Sequence, residues 1–173
     1  MGKFLLGFVF AVIVLCGSAF AGLMLGWLDT NADSPIGNLE KQIASRALDA
    51  SVDRHADRAS NPVQENAAAL QDGMTIYVMN CATCHGALDK KPSAIGKNLY
   101  PHAPQLIVRA LDDPEWRTFY VVKHGISRTG MPAWDKILSE QDMWKVTAFL
   151  SNLEKLPPEV QSLMPAPAAA GTQ

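Results

Sequence analysis

Cysteine and histidine are scarce in this sequence. Its 173 residues contain three cysteines, Cys16, Cys81 and Cys84, and four histidines, His55, His85, His102 and His124. That is too few for the disulfide framework that staples small exported domains. A surplus of charge of one sign is also missing: 15 Lys and Arg stand against 17 Asp and Glu, for a net charge of −2. This excludes the basic face of a nucleic-acid-binding protein. No internal repeat is evident, and no run alternates polar and apolar residues as a half-buried strand does. No strand is therefore expected.

What the chain does have is a long uncharged run, "FLLGFVFAVIVLCGSAFAGLMLGWL", from Phe4 to Leu28. As a helix these 25 residues would span roughly 37 Å, enough to cross a bilayer core. "AFA" at 19–21 offers a signal-peptidase site. Because the apolar character continues to Leu28, however, the run reads as an uncleaved transmembrane anchor over 1–28. Lys3 before it and Asp29 after it put the N-terminus in the cytoplasm and the rest of the chain outside. Trp27 suits the far interface. Gly22 and Gly26 form a GxxxG, a pattern that can pair membrane helices but is common in them anyway. Leu15 is too large for a lipoprotein cleavage site, which leaves Cys16 a buried, inert thiol.

Residues 29–62 read as a polar spacer. Within it, 38–60 is expected to be a solvated helix with a thin apolar stripe of Leu39, Ile43, Ala47, Val52 and Ala56. Asn61-Pro62 opens a second helix over 63–80. Residues 86–106 are rich in Gly, Pro, Lys and Asn and read as a loop. A helix follows over 115–126, then a second loop. Ser139 with Asp142 makes a capping-box-like start for a last helix, "EQDMWKVTAFLSNLEKL". Pro157-Pro158 ends it, and 158–173 is expected to be a disordered tail. Between 89 and 136, eight Lys and Arg face five Asp and Glu, a weakly basic stretch.

The chemistry-bearing stretch is "NCATCHG", residues 80–86. A zinc site needs a second Cys/His pair, and none is present. A thioredoxin-like dithiol belongs after a strand, whereas a helical pattern precedes this one. A disulfide within the motif would leave His85 unused. The remaining reading is attachment of a c-type haem: Cys81 and Cys84 bond to its two vinyl groups, and His85 sits beneath the iron as a metal ligand. That reading calls for a sixth ligand on a later loop, and "GMPAW", Gly130 to Trp134, supplies Met131 with its soft sulfur. Pro132 fixes the backbone beside it. Gly130 allows close approach over the macrocycle. His124, seven residues earlier, is an alternative imidazole.

With these pieces, and with Gly73, Tyr77, "GKNLYPHAPQL", "VVKHGI" and "WKVTAFL", residues 66–156 resemble a class I monohaem cytochrome c. The resemblance implies the all-α class, with a helical cytochrome c domain over 63–157 around one haem c. Gly73 would sit where the first and last helices cross, with Tyr77, Trp144 and Phe149 packed there. The carbonyl region of Pro104 would steady His85 through Nδ1. Lys97, Asn98, Tyr100 and Arg109 would be candidates to meet the haem propionates, and Trp134 would line the haem. The expected function is one-electron transfer on the outer face of the membrane, the periplasmic side in a bacterium. The alternative is an electron-entry subunit of a larger redox enzyme. Expected partners are redox proteins: a quinol-oxidising complex, a terminal oxidase or a periplasmic dehydrogenase.

Overall fold

The computed structural model describes residues 2–166, and among these every regular element is helical. The chain divides into two compact units, Met1–Ser34 and Pro35–Gln173. In the first, α1 runs from Gly2 to Met24 and carries no charge after Lys3. At about 34 Å it is long and apolar enough to cross a membrane. Its large side chains stay exposed, from Phe4 to Leu28, so nothing within this unit covers them. A helix that is apolar all round needs a core or a bilayer around it.

The glycines near its end act as a stop signal. Gly26 takes a left-handed φ of 76°. Trp27 N–H then reaches Gly22 C=O at 3.0 Å, and Gly26 N–H reaches Leu23 C=O at 3.2 Å. This is a Schellman cap, which terminates a helix. The Trp27 ring folds back until a Cβ on Gly22 would lie 3.2 Å from it. Gly26 is thus past the helix end, and the GxxxG spacing does not form one helical face.

The second unit holds α2 (Asn38–His55), α3 (Ala67–Asn80), α4 (Ala82–His85), α5 (Ala94–Lys97), α6 (Glu115–His124), α7 (Glu140–Ser151) and α8 (Pro158–Gln161). The core forms where α3 crosses α7, from Leu70, Met74 and Tyr77 on one side and Val146, Phe149 and Leu150 on the other. Gly73 sits at the crossing, as the resemblance implies, against the backbone of Lys145. The Tyr77 and Phe149 rings meet there at 6.0 Å. Trp144 instead stacks on Phe119 of α6 at 3.9 Å and so joins a third helix to the pair.

Caps set the boundaries. Asn66 Oδ1 accepts from Ala69 N–H at 3.0 Å, so α3 starts at 67 rather than 63. Ser139 Oγ accepts from Asp142 N–H and donates to its carboxylate, the arrangement its spacing predicts.

Two expectations are corrected. The spacer helix docks instead of standing free in solvent: Val52 is 2% exposed, and Arg117 of α6 binds Asp49 at 2.9 Å and also binds Asp53. The apolar stripe misled because it occupies two faces. Val52 follows Ile43 by nine residues, about half a turn away. Leu39 and Ile43 accordingly remain exposed. The expected disordered tail is ordered at its start: α8 begins at Pro158, and Val160 is fully buried in the core with Met164 packed beside it. The final residues of that tail, 167–173, lie outside the described residues.

Glu115, in the first turn of α6, gives the fold a pH dependence. Burial holds its carboxyl above the ordinary 4.5. Asn61 opposes the shift, the Glu65 charge adds to it, and Ser151 opposes it. Yet Oε1 is buried without completing a hydrogen bond. A carboxyl that keeps its proton longer when folded stabilises the fold below the unfolded value, and that contribution is lost as pH rises through the folded value. Glu115→Gln is therefore expected to raise the melting temperature more at pH 7 than at pH 4. An equal effect at both pH values in thermal denaturation would refute this.

Candidate functional site

The site is assembled from the two ends of the chemistry-bearing sequence. Cys81 caps α3 and opens the one-turn helix α4, so that Cys81, Cys84 and His85 share a single turn. The turn is closed by His85 N–H to Cys81 C=O at 2.8 Å. Tyr77 holds it from beneath, its hydroxyl donating to His85 C=O at 3.0 Å and to Gly86 C=O at 2.7 Å. Burial, and next the nearby Cys81, push the Tyr77 phenol well above its ordinary value, which keeps it a donor.

Both motif thiols are free, so no disulfide joins them. Burial, then the Cys84 charge, push Cys81 up to about 11. A redox-active dithiol needs a lowered thiol pKa, and Cys81 is shifted in the opposite direction. Among the described residues, no three Cys, His, Asp or Glu side chains converge as a zinc site requires.

The loop after α4 turns back over the histidine. Pro104 C=O lies 2.9 Å from His85 Nδ1. Since a carbonyl can only accept, the Nδ1 proton is fixed there and Nε2 keeps its lone pair for a metal. Leu106 N–H to His85 C=O at 3.1 Å pins the same residue from the backbone side.

The Met131 loop hangs from the C-terminal end of α6. Gly125 makes the turn at φ 65°, where a Cβ would lie 2.6 Å from the Pro132 carbonyl carbon. Ile126 N–H then bonds Met131 C=O at 3.1 Å, and Thr129 Oγ1 accepts Met131 N–H at 3.0 Å. Two further bonds, Trp134 N–H to Val122 C=O and Asp135 N–H to Lys123 C=O, zip the loop to the helix. Gly130 also makes room for Leu99, which a Cβ there would strike at 2.8 Å. His124 stays exposed at the helix end, its ring 4.6 Å from that of Tyr120.

Three of the four propionate candidates have other partners. Asn98 bonds Ala94 C=O, Tyr100 donates to Glu40, and Arg109 pairs with Asp112 at 2.6 Å. Lys97 lies exposed in the last turn of α5. Trp134 differs from all four, because its Nε1–H is buried with no acceptor. A buried donor left unpaired costs about 1–3 kcal/mol, so this N–H wants an oxygen that the protein does not supply. A haem propionate is such an oxygen. Together with two free thiols on one turn, a tautomer-fixed imidazole and a loop-borne thioether, it makes the residues a fit for haem c. Sequence reasoning missed Arg117 and Glu115, which carry no motif and whose main partners, Asp49 and Asp53 for the one and Asn61 and Glu65 for the other, lie at least fifty residues away.

The basic stretch thins out in three dimensions. Arg109, Arg117, Lys123 and Lys136 are each in an ion pair, and Lys90, Lys91, Lys97 and Arg128 are exposed.

Residues 68–150, from α3 to α7, match the family model described as "Cytochrome C oxidase, cbb3-type, subunit III". No curated protein matches the chain. The segment is a c-type cytochrome domain, and such a domain binds haem c covalently.

Proposed function

From this cytochrome c domain we propose a one-electron carrier of a respiratory chain, held by α1 to the outer face of the cytoplasmic membrane. The observation that carries the reading is the His85 Nδ1–Pro104 bond at 2.9 Å, which leaves Nε2 free to ligate a metal. When bound, the haem supplies a one-electron couple, and axial ligation sets its potential over a range of about 0.8 V across proteins. The rest falls to the chain's own residues. Cys81 and Cys84 would fix the group to one helical turn, His85 and Met131 would hold its iron, and Trp134 Nε1–H would meet a propionate. With two protein side chains holding the iron, no place would be left for a substrate, and the same ligands would serve both oxidation states. The Lys3/Asp29 asymmetry around α1 supports a domain on the outer side, the periplasmic side in a bacterium. Donors and acceptors are then a quinol-oxidising complex, a terminal oxidase or a periplasmic dehydrogenase.

A second reading, an electron-entry subunit of a larger oxidase, is favoured by the description of the matching family model. Purification from membranes in mild detergent separates the two: a carrier elutes alone, whereas a subunit elutes with other chains and their metals. In either case acid–acetone should leave the haem on the polypeptide, at one iron per chain. Extractable haem would overturn both readings. N-terminal sequencing should find the residues of α1 intact, and a mature chain starting at Gly22 would remove the anchor.

A further inference from the structure

We infer that α2 is a strap across the cytochrome domain, tying the loop that positions His85 to the helix that carries the Met131 loop and so guarding the sixth coordination position. The inference rests on the ligand assignment proposed above. At its N-terminal end, the Glu40 carboxylate accepts the Tyr100 hydroxyl proton at 2.9 Å. Tyr100 stands four residues before Pro104, whose carbonyl orients His85, and that loop is closed by Ala103 N–H to Gly96 C=O at 2.9 Å. At the other end, Asp49 and Asp53 grip Arg117, which also pairs with Asp113 at 3.3 Å. Arg117 lies in α6, and the far end of α6 holds the Met131 loop through Val122 and Lys123.

Glu40 and Asp53 are thirteen residues apart, about 20 Å along a helix. A rigid element bonded at both ends over that distance resists separation of the two loops. The Arg117 end is the stronger one. Its side chain is 17% exposed and faces three carboxylates, and such a network holds better than an isolated surface pair. Just beyond α2, Arg58 stacks 5.4 Å over the Trp116 ring and extends the attachment. These residues act as positioning residues for His85 and Met131.

Exogenous imidazole can take the sixth position only when the Met131 loop has swung away, so its apparent affinity measures the open fraction. The test is an imidazole titration of the ferric, full-length holoprotein in detergent, following loss of the far-red iron–sulfur band. Removing the clasp with the exposed pair Asp49→Asn/Asp53→Asn, or with Arg117→Gln, should tighten imidazole binding about tenfold, in proportion to the open population. The carboxylate-preserving pair Asp49→Glu/Asp53→Glu should bind like the parent, an outcome that a general loosening of the fold would not give. Raising salt from roughly 0.01 to 0.5 M should tighten binding to the parent and leave Arg117→Gln unmoved, because the clasp is screened. If the parent shows the band and both clasp variants bind imidazole as the parent does, the strap is refuted and the ligand assignment stands. If the parent lacks the band, the ligand assignment fails, and the strap with it.

Discussion

Met131→His is expected to keep the haem low-spin while lowering its midpoint potential by on the order of 0.2–0.3 V, within the range that axial ligation spans. Imidazole is the harder and stronger donor to ferric iron, so it stabilises the oxidised state, whereas a thioether favours the reduced one. Met131→Ala should instead open the position to water, added imidazole or carbon monoxide. It should also slow electron exchange, because ligation would then differ between the oxidation states. Other methionines are badly placed to substitute. Met74 and Met143 are buried in the helix packing at 7% and 2% exposure. Met79 lies on α3, the helix that leads into the attachment turn. Met164 packs against the core beyond α8. Among the described methionines, only Met131 sits on a loop held by two backbone bonds to α6 beside the unpaired Trp134 Nε1–H. A redox titration read beside the oxidised optical spectrum decides the matter. A Met131→Ala protein that keeps both its far-red band and its potential would show that another residue is the ligand.

Gly73→Val is expected to cost about 3 kcal/mol or more, as inserted bulk does in a closely packed contact. Even a Cβ at this position would lie 2.2 Å from Lys145 C=O and 2.9 Å from Phe149 Cβ. The obstacle is backbone in the middle of α7, so no rotamer change relieves it. Lys145 Nζ is in addition bonded to Asp72 at 2.8 Å, one residue before the glycine. The two helices would have to part, and the Tyr77–Phe149 contact beneath the attachment turn would part with them. Because whole domains are stable by only about 5–15 kcal/mol, the yield of haem-loaded protein should fall as well. Guanidinium unfolding of the holoprotein gives the number, and a loss below about 1 kcal/mol would mean that the crossing is looser than its geometry indicates.

What could be read from the sequence is what depends on short spacings. Cys81, Cys84 and His85 fall on one turn wherever that turn is helical, and Ser139 caps α7 through a residue three positions on. The GMPAW loop and the all-helical class were legible for the same reason. The role of Pro104 came through resemblance, and the His85 bond agrees with it. Less legible were positions whose partners lie far along the chain. Lys97, Asn98, Tyr100 and Arg109 were plausible by type, but a side chain's partner is chosen by packing. For Tyr100 the choice was Glu40, sixty residues away.

By itself, then, the sequence determined the attachment turn, the Met131 loop, the apolar first helix and the helical class, because each follows from contacts within a few residues or from a hydrophobic run. The tertiary structure alone decided that the spacer helix docks through Arg117, that Val160 closes the core, that Glu115 Oε1 is buried without a completed bond, and that Trp134 keeps a buried donor unpaired. These depend on which helical face meets which neighbour. A stripe such as Leu39, Ile43 and Val52 leaves that open, since residues that look periodic along the chain can point to opposite sides of the helix, and only long-range packing selects between them.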